Sequence, residues 1–226
     1  MKSQISVLKN SLSGDLLDGK FDNGRYSTDA SIYQIMPEAV ILPKNIEDIK
    51  KTIQFSQEYD IPILPRGGGT SQNGQTVNRA IVLDNSKYLN KIIEVDAINQ
   101  TCLVEPGVVL DELNRFLKPY GLWFPVDVST SSRATIGGMA GNNSAGGRSI
   151  RYGIMRDNVM SIDALLSDAS EAHFGLSKKN ISGLQSLFPK LTAIAEKNEN
   201  EIKTRFPKVL RRVGGYNLDA LLKQSD

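Results

Sequence analysis

Residues 65–76 read PRGGGTSQNGQT. Three consecutive glycines follow Pro65 and Arg66, and Gly74 comes five residues after Gly69. Glycine loses more conformational freedom on folding than any other residue, so such a run marks backbone that bends sharply or is approached closely. Two short apolar runs flank it, IPILP (61–65) and AIVLD (80–84), and a third, AVILP (39–43), lies upstream. Between the first two in chain order, NIEDIKKTIQFSQEYD reads as a helix. Asn45 is placed to cap it, Glu47 and Asp48 sit in its first turn, and Ile46, Ile49 and Ile53 recur on one face. Strand, helix, strand, glycine loop and strand predict a small parallel βαβ unit, with its strands buried on both faces.

Beyond about residue 90 the pattern changes. KIIEVD and TCLVEPG flank the turn AINQ and predict an antiparallel hairpin. VVLDELNRFLKPYG predicts a helix with Leu110, Leu113 and Leu117 on one face and Gly121 as its stop. TIGGMAGNNSAGG, rich in small residues, reads as a loop turning into a tightly packed helix. VMSIDALLSD and EAHFG predict a second hairpin. Residues 183–205 read as helical and charged, interrupted at Pro189, whereas residues 1–36 read as irregular or weakly helical. The expected fold class is α+β: a small parallel βαβ unit, then a mostly antiparallel sheet flanked by helices. The expected division is an extension (1–36), two subdomains (37–90 and 91–205, meeting near Asn85–Asn90) and a segment leading onward (206–226).

The 226 residues suffice for one large domain or two small ones, and a net charge of +2 gives no footprint for nucleic acid. One cysteine, Cys102, rules out an internal disulfide and a cysteine metal cluster, and no metal is expected. Neither a signal peptide nor an apolar membrane span is evident. Cys102 reads as a small buried apolar residue, Trp123 and Phe124 as core, and His173, the only histidine, as structural.

Ten of the 19 glycines fall within 66–76 and 137–153. No Asp or Glu occurs from Ile61 to Leu83 or from Val128 to Arg156, while the second stretch holds Arg133, Arg148, Arg151 and Arg156. Loops of this composition offer backbone N–H groups to an anion with no carboxylate to repel it. The plainer alternative is two surface turns. GTSQNGQT (69–76) is one residue from a nucleotide-binding P-loop, but Gln75 replaces the lysine that would contact the phosphates. A dinucleotide fingerprint fails too. Its third glycine would be Gln72, and a strand follows rather than a helix.

PRGGGTSQNGQ (65–75), TIGGMAGNNSAGGRSIRYG (135–153) and DNVMSIDALLSD (157–168) together resemble the FAD-binding domain of the vanillyl-alcohol oxidase-like flavoproteins. The FAD-linked dehydrogenases of D-2-hydroxy acids (D-lactate, glycolate and D-2-hydroxyglutarate types) are the most similar of these. The resemblance implies that Arg66, Gly67, Gly68, Gly69, Thr70 and Ser71 wrap the pyrophosphate, with Gly74 and Gln75 completing the turn. It implies that Gly137 and Gly138 admit the cofactor closely, and that Ala140, Asn142, Asn143, Ser144 and Gly146 line it. Pro125 and Asp127 would sit beside it, and Val159 would hold its other end through backbone. Pro65, Thr135 and Tyr152 complete the implied set. Some members tether flavin through a histidine in the first glycine loop. GGGTS has none, so FAD is expected to be non-covalent. A valine at Gly68 or Gly138 is expected to block FAD while leaving the fold largely intact.

The same resemblance implies oxidation of a small D-2-hydroxy acid, with hydride passing from its α-carbon to the flavin while a base takes the hydroxyl proton. A quinone or cytochrome would accept the electrons, and the protein would be cytoplasmic, or peripheral to the inner face of a membrane. No catalytic residue is assigned, because the resembling dehydrogenases carry theirs on a later substrate domain that nothing here matches. The chain then reads as an N-terminal portion of such an enzyme or the product of a shortened gene. Two alternatives stay open: a non-catalytic or split flavin module acting with a partner chain, and a reductase of an enolpyruvyl sugar nucleotide.

Overall fold

In the computed structural model, residues 2–175, 187–209 and 216–222 are described. They group into two compact units, Met1–Met160 and Ser161–Asp226.

The first unit begins with α1 (Lys2–Ser11), β1 (Asp15–Leu17) and α2 (Lys20–Tyr26). Then come β2 (Ala39–Leu42), α3 (Ile46–Tyr59), β3 (Ile63–Arg66) and β4 (Ile81–Asp84). These strands form one sheet in the order β1-β2-β4-β3. β2, β4 and β3 are parallel, and β1 joins the β2 edge antiparallel, Leu16 opposite Ile41. Alternate residues point to opposite faces of a strand. Ala39, Ile41, Ile81 and Leu83 pack with Ile5 and Leu8 of α1 and Phe55 of α3, whereas Val40, Leu42 and Val82 pack with Tyr26, Leu64 and Tyr88. Every residue of β2 and β4 is buried, as expected of parallel strands covered on both sides.

The cap of α3 forms as expected and Ile53 is buried, whereas Ile46 of the expected face is exposed. Asn45 accepts a hydrogen bond from the Asp48 N–H at 2.9 Å. Asp48 does more than complement the helix dipole. Fully buried, its carboxylate accepts the backbone N–H groups of Ser13, Gly14 and Lys44, at 2.8, 2.9 and 2.9 Å. Residues 2–26 thus carry two helices and a strand, with Ile5, Leu8 and Leu16 in the core; of the expected irregular or weakly helical character, the helical part is found here. Their stretches are short, and β1 finds its partner more than twenty residues away.

The hairpin β5 (Ile92–Asp96) and β6 (Thr101–Val104) is antiparallel, with a register shift between Ile92 and Glu94. On it packs α4 (Leu110–Leu117), whose Leu113 and Leu117 join Val108 against Ile92, Val95, Cys102 and Val104. Gly121 ends the following 3₁₀ turn with φ of 69°. Three short helices complete the unit: α5 (Ile136–Gly141), α6 (Ser149–Tyr152) and α7 (Met155–Asn158). Leu110, Val126, Ala134, Met139 and Met155 form their core.

The second unit holds the antiparallel hairpin β7 (Ser161–Leu165) and β8 (Glu171–Gly175), then α8 (Phe188–Lys197) and α9 (Glu199–Arg205). Apart from β1, the antiparallel strands of the described residues thus make two separate ribbons. Pro189 does not interrupt a helix. It lies in the first turn of α8, where its missing N–H is not needed. His173 stands opposite Asp163 and contacts its carboxylate through Nδ1 at 2.6 Å. Positions 183–186 of the expected helix and 210–215 and 223–226 of the expected onward segment lie outside the described residues.

Two outcomes follow for stability. Asp48→Ala removes the buried acceptor of three backbone N–H groups and should lower unfolding free energy by about 3 kcal/mol, read from urea denaturation. A midpoint equal to the parent's would show that the N-terminal segment is not anchored there. Asp15 takes hydrogen bonds from Lys87 Nζ at 2.7 Å and Tyr88 Oη at 2.8 Å, and these hold its carboxyl below the ordinary value of 3.8. A lowered carboxyl stabilises the fold above its ordinary value and loses that effect as pH falls through the folded one. The melting difference between the parent and Asp15→Asn should therefore be present at neutral pH and shrink in acid.

Candidate functional site

The two glycine-rich loops meet. A Cβ on Gly67 would strike Thr135 Oγ1, and one on Gly68 would strike the Arg133 carbonyl oxygen. Both glycines are thus required by close approach of the protein to itself. Farther along, Gln75 Nε2 reaches Asn142 Oδ1 at 3.5 Å. Thr135, buried, caps α5 by accepting the Gly138 N–H at 3.3 Å.

Their hydrogen bonding differs sharply. None of the five main-chain N–H groups from Gly67 to Ser71 donates to an acceptor among the described residues. In the second loop most are engaged within the protein. Ile136 and Gly137 donate to the carbonyls of Val108 and Pro106, both at 2.8 Å. Asn142, Asn143 and Ser144 donate back to Gly138, Ala140 and Met139. A row of unused amides suits an anion with several oxygens, such as a diphosphate.

Other expected residues serve the frame. A Cβ on Gly137 would lie 2.5 Å from Pro106 Cβ, and one on Gly146 would strike the Asp127 carbonyl. Asp127, just after half-buried Pro125, accepts the Arg148 N–H at 2.9 Å. Asn143 accepts the Arg156 N–H at 3.1 Å, and buried Ser144 receives the Met155 N–H on its carbonyl. Ala140 and Val159 pack against the α5–α7 core. Pro65 is exposed on β3, while Thr70, Ser71 and Gly74 are half-buried.

Trp123 is not core. It is 41% exposed, with the Arg148 guanidinium 5.1 Å from its ring centre and Tyr152 edge-on at 5.2 Å. An indole face attracts a cation, which lets the ring remain at the surface. Phe124 turns inward instead. Cys102 is half-buried, and burial pushes its thiol up. Asp157 caps a turn by accepting the Ile154 N–H at 2.9 Å.

Sequence reading missed one set of residues altogether. Tyr26, Thr28, Asp29, Ala30 and Tyr33 run along the first glycine loop. The Ala30 N–H donates to the Gly69 carbonyl at 3.2 Å, Thr76 Oγ1 donates to Asp29 at 2.9 Å, and a Cβ on Gly74 would lie 2.6 Å from the Tyr33 ring. Burial pushes the Asp29 carboxyl up, but hydrogen bonds from Ser31 and Thr76 outweigh it and hold it low. The loop is acid-free in sequence but not in space. The DAS stretch at 29–31, an Asx turn with Ser31 N–H on Asp29, was the one local signal.

The family profile described as an FAD binding domain matches residues 37–175. A D-2-hydroxyglutarate dehydrogenase of Pantoea ananatis is 34% identical over 217 residues, 91% of this chain and 21% of that protein. A glycolate oxidase subunit of Bacillus subtilis is 39% identical over 146 residues, 63% of this chain and 31% of that protein. The chain therefore spans between a fifth and a third of these relatives' lengths. Among solved structures, an alkyldihydroxyacetonephosphate synthase superposes with a TM-score of 0.68 at 22% identity, covering 80% of this chain and 35% of that one. The 6-hydroxy-D-nicotine oxidase of Arthrobacter nicotinovorans gives 0.64 at 18%, covering 73% and 36%. At such identities these two speak to fold alone.

Because Gly68 packs on backbone, Gly68→Val should lower the melting temperature of the cofactor-free protein by several degrees, rather than leaving the fold largely intact. Gly141→Ala meets nothing within 4 Å and should not lower it. Equal melting of Gly68→Val and parent, by circular dichroism, would contradict the loop contact.

Proposed function

The chain belongs to the FAD binding domain family, and on that premise we propose that it holds FAD non-covalently and forms the flavin-bearing part of an enzyme that oxidises a D-2-hydroxy acid. One observation carries the reading: the five consecutive amides from Gly67 to Ser71 with no acceptor among the described residues, on a loop seated against a second glycine loop. Such a row matches the oxygens of the FAD diphosphate. The residues fit the cofactor in this respect. Neither glycine loop holds a histidine, which supports non-covalent binding.

In this reading the Gly67–Ser71 amides bind the diphosphate. Gly137, Gly138, Ala140, Asn142, Asn143, Ser144 and Gly146 form a wall beside it, made firm by their own hydrogen bonds. Thr135 fixes the wall to the first loop, while Pro125, Asp127, Tyr152 and Val159 complete the surround. FAD when bound supplies the hydride acceptor; the protein supplies position and electrostatics. The relatives named for D-2-hydroxyglutarate and glycolate support a small 2-hydroxy acid as substrate. A separate domain or partner chain would bind it and provide the base. The chain spans about a fifth of the D-2-hydroxyglutarate dehydrogenases it matches. Among the described residues no helix is long and apolar enough to cross a membrane. We place the protein in the cytoplasm or at a membrane's inner face, where a quinone or cytochrome would take the electrons.

Purified protein should bind FAD at micromolar concentration, read by quenching of flavin fluorescence, and ADP should compete while riboflavin competes poorly. Added D-2-hydroxyglutarate or D-lactate should not bleach the bound flavin without a substrate-binding domain or partner. Absence of FAD binding overturns the reading, and bleaching by hydroxy acid alone overturns the need for a partner.

A further inference from the structure

Arg66 stands at the mouth of the amide row, where a cation would ordinarily be assigned to the anion. Its guanidinium is turned to the protein instead. Nη1 donates to the carbonyls of Tyr26 at 3.2 Å and Thr76 at 3.1 Å, and Nη2 donates to the carbonyl of Thr28 at 2.9 Å. Its Cζ lies 5.2 Å from the Tyr26 ring centre. That ring is pinned in turn, since its hydroxyl donates to buried Asp84 at 2.7 Å. Gly69, with φ of +65°, would place a Cβ 2.6 Å from Nη2, so the loop folds directly over the guanidinium.

Residues 26–33 form a strap along that loop. Besides the Arg66 bonds, Ala30 N–H binds the Gly69 carbonyl, Asp29 binds Thr76, and the Tyr33 ring covers Gly74. The strap lies upstream of the family match at 37–175.

We propose that Arg66 is a positioning residue that acts through backbone: it staples the 26–33 strap to the first glycine loop and so sets the Gly67–Ser71 amides, without itself touching the ligand's diphosphate. The proposal rests on the FAD reading for its ligand but not for its geometry. An arginine fork serves three carbonyls at once, whereas a lysine is a single point charge. Lysine at 66 is thus no substitute here, although it would serve well on a phosphate.

The test compares Arg66→Lys, Arg66→Ala, Asp29→Ala and Thr76→Val. Each should weaken FAD binding by about tenfold, the loss that one hydrogen bond to a charged group implies. Arg66→Lys should be as weak as Arg66→Ala. Arg66→Ala with Asp29→Ala should lose little more than Arg66→Ala alone, because both release one strap. In FAD-free protein, hydrogen exchange at the Ala30 amide should quicken in every variant. The proposal is overturned if Arg66→Lys binds FAD like the parent, if the double change is additive, or if Arg66→Ala flattens the salt dependence of binding while Ala30 exchange is unchanged. Should Arg66→Ala fail to fold, Asp29→Ala and Thr76→Val carry the test, each removing one strap bond. If the parent protein binds no FAD, the functional reading fails, and Ala30 exchange still decides the strap.

Discussion

The backbone at Gly67 and Gly68 lies so close to Arg133 and Thr135 that no side chain fits between them. That approach brings the end of a parallel sheet against a short helix far along the chain. It also divides labour between the loops. The second loop's amides are engaged by Val108, Pro106 and its own helix, so it is a braced surface. The first loop leaves its amides uncommitted and leans on its neighbours for shape. A diphosphate site needs both properties: donors with nothing else to bind, and a frame that keeps them convergent without the ligand.

Much of the fold was legible because burial writes itself in short-range patterns. AVIL and IVLD are continuous apolar runs because both faces are covered. The Asn45 cap, the leucine stripe of α4 and the two hairpins follow from local spacing alone. The N-terminal segment was opaque for the opposite reason. β1 has three residues, and its order comes from partners distant in sequence: Leu42 and its neighbours for its backbone, Asp48 for the turn before it.

The site was legible in outline and not in its parts. Clustered glycines and missing acids singled out two loops that meet, but composition does not say what a glycine makes room for. Gly137 and Gly146 make room for Pro106 and Asp127, which belong to the protein. Nor does an acid-free window describe a volume, since Asp29 enters from a segment that seemed peripheral. Arg66 shows the same gap. A cation in an anion loop reads as a ligand contact, while its hydrogen bonds go to carbonyls. Its charge still biases the local potential toward an anion.

The antiparallel seating of β1 on β2 has a bearing on how such a domain could be cut or recombined. β1 lies wholly upstream of the residues that define the family match. A chain trimmed to that match would bare the backbone edge of Ala39–Leu42, four apolar residues with unpaired N–H and carbonyl groups. An open edge of that kind recruits a strand from another copy. The small N-terminal strand therefore also acts as a guard against edge-to-edge self-association, a role that is invisible in the folded monomer's energetics.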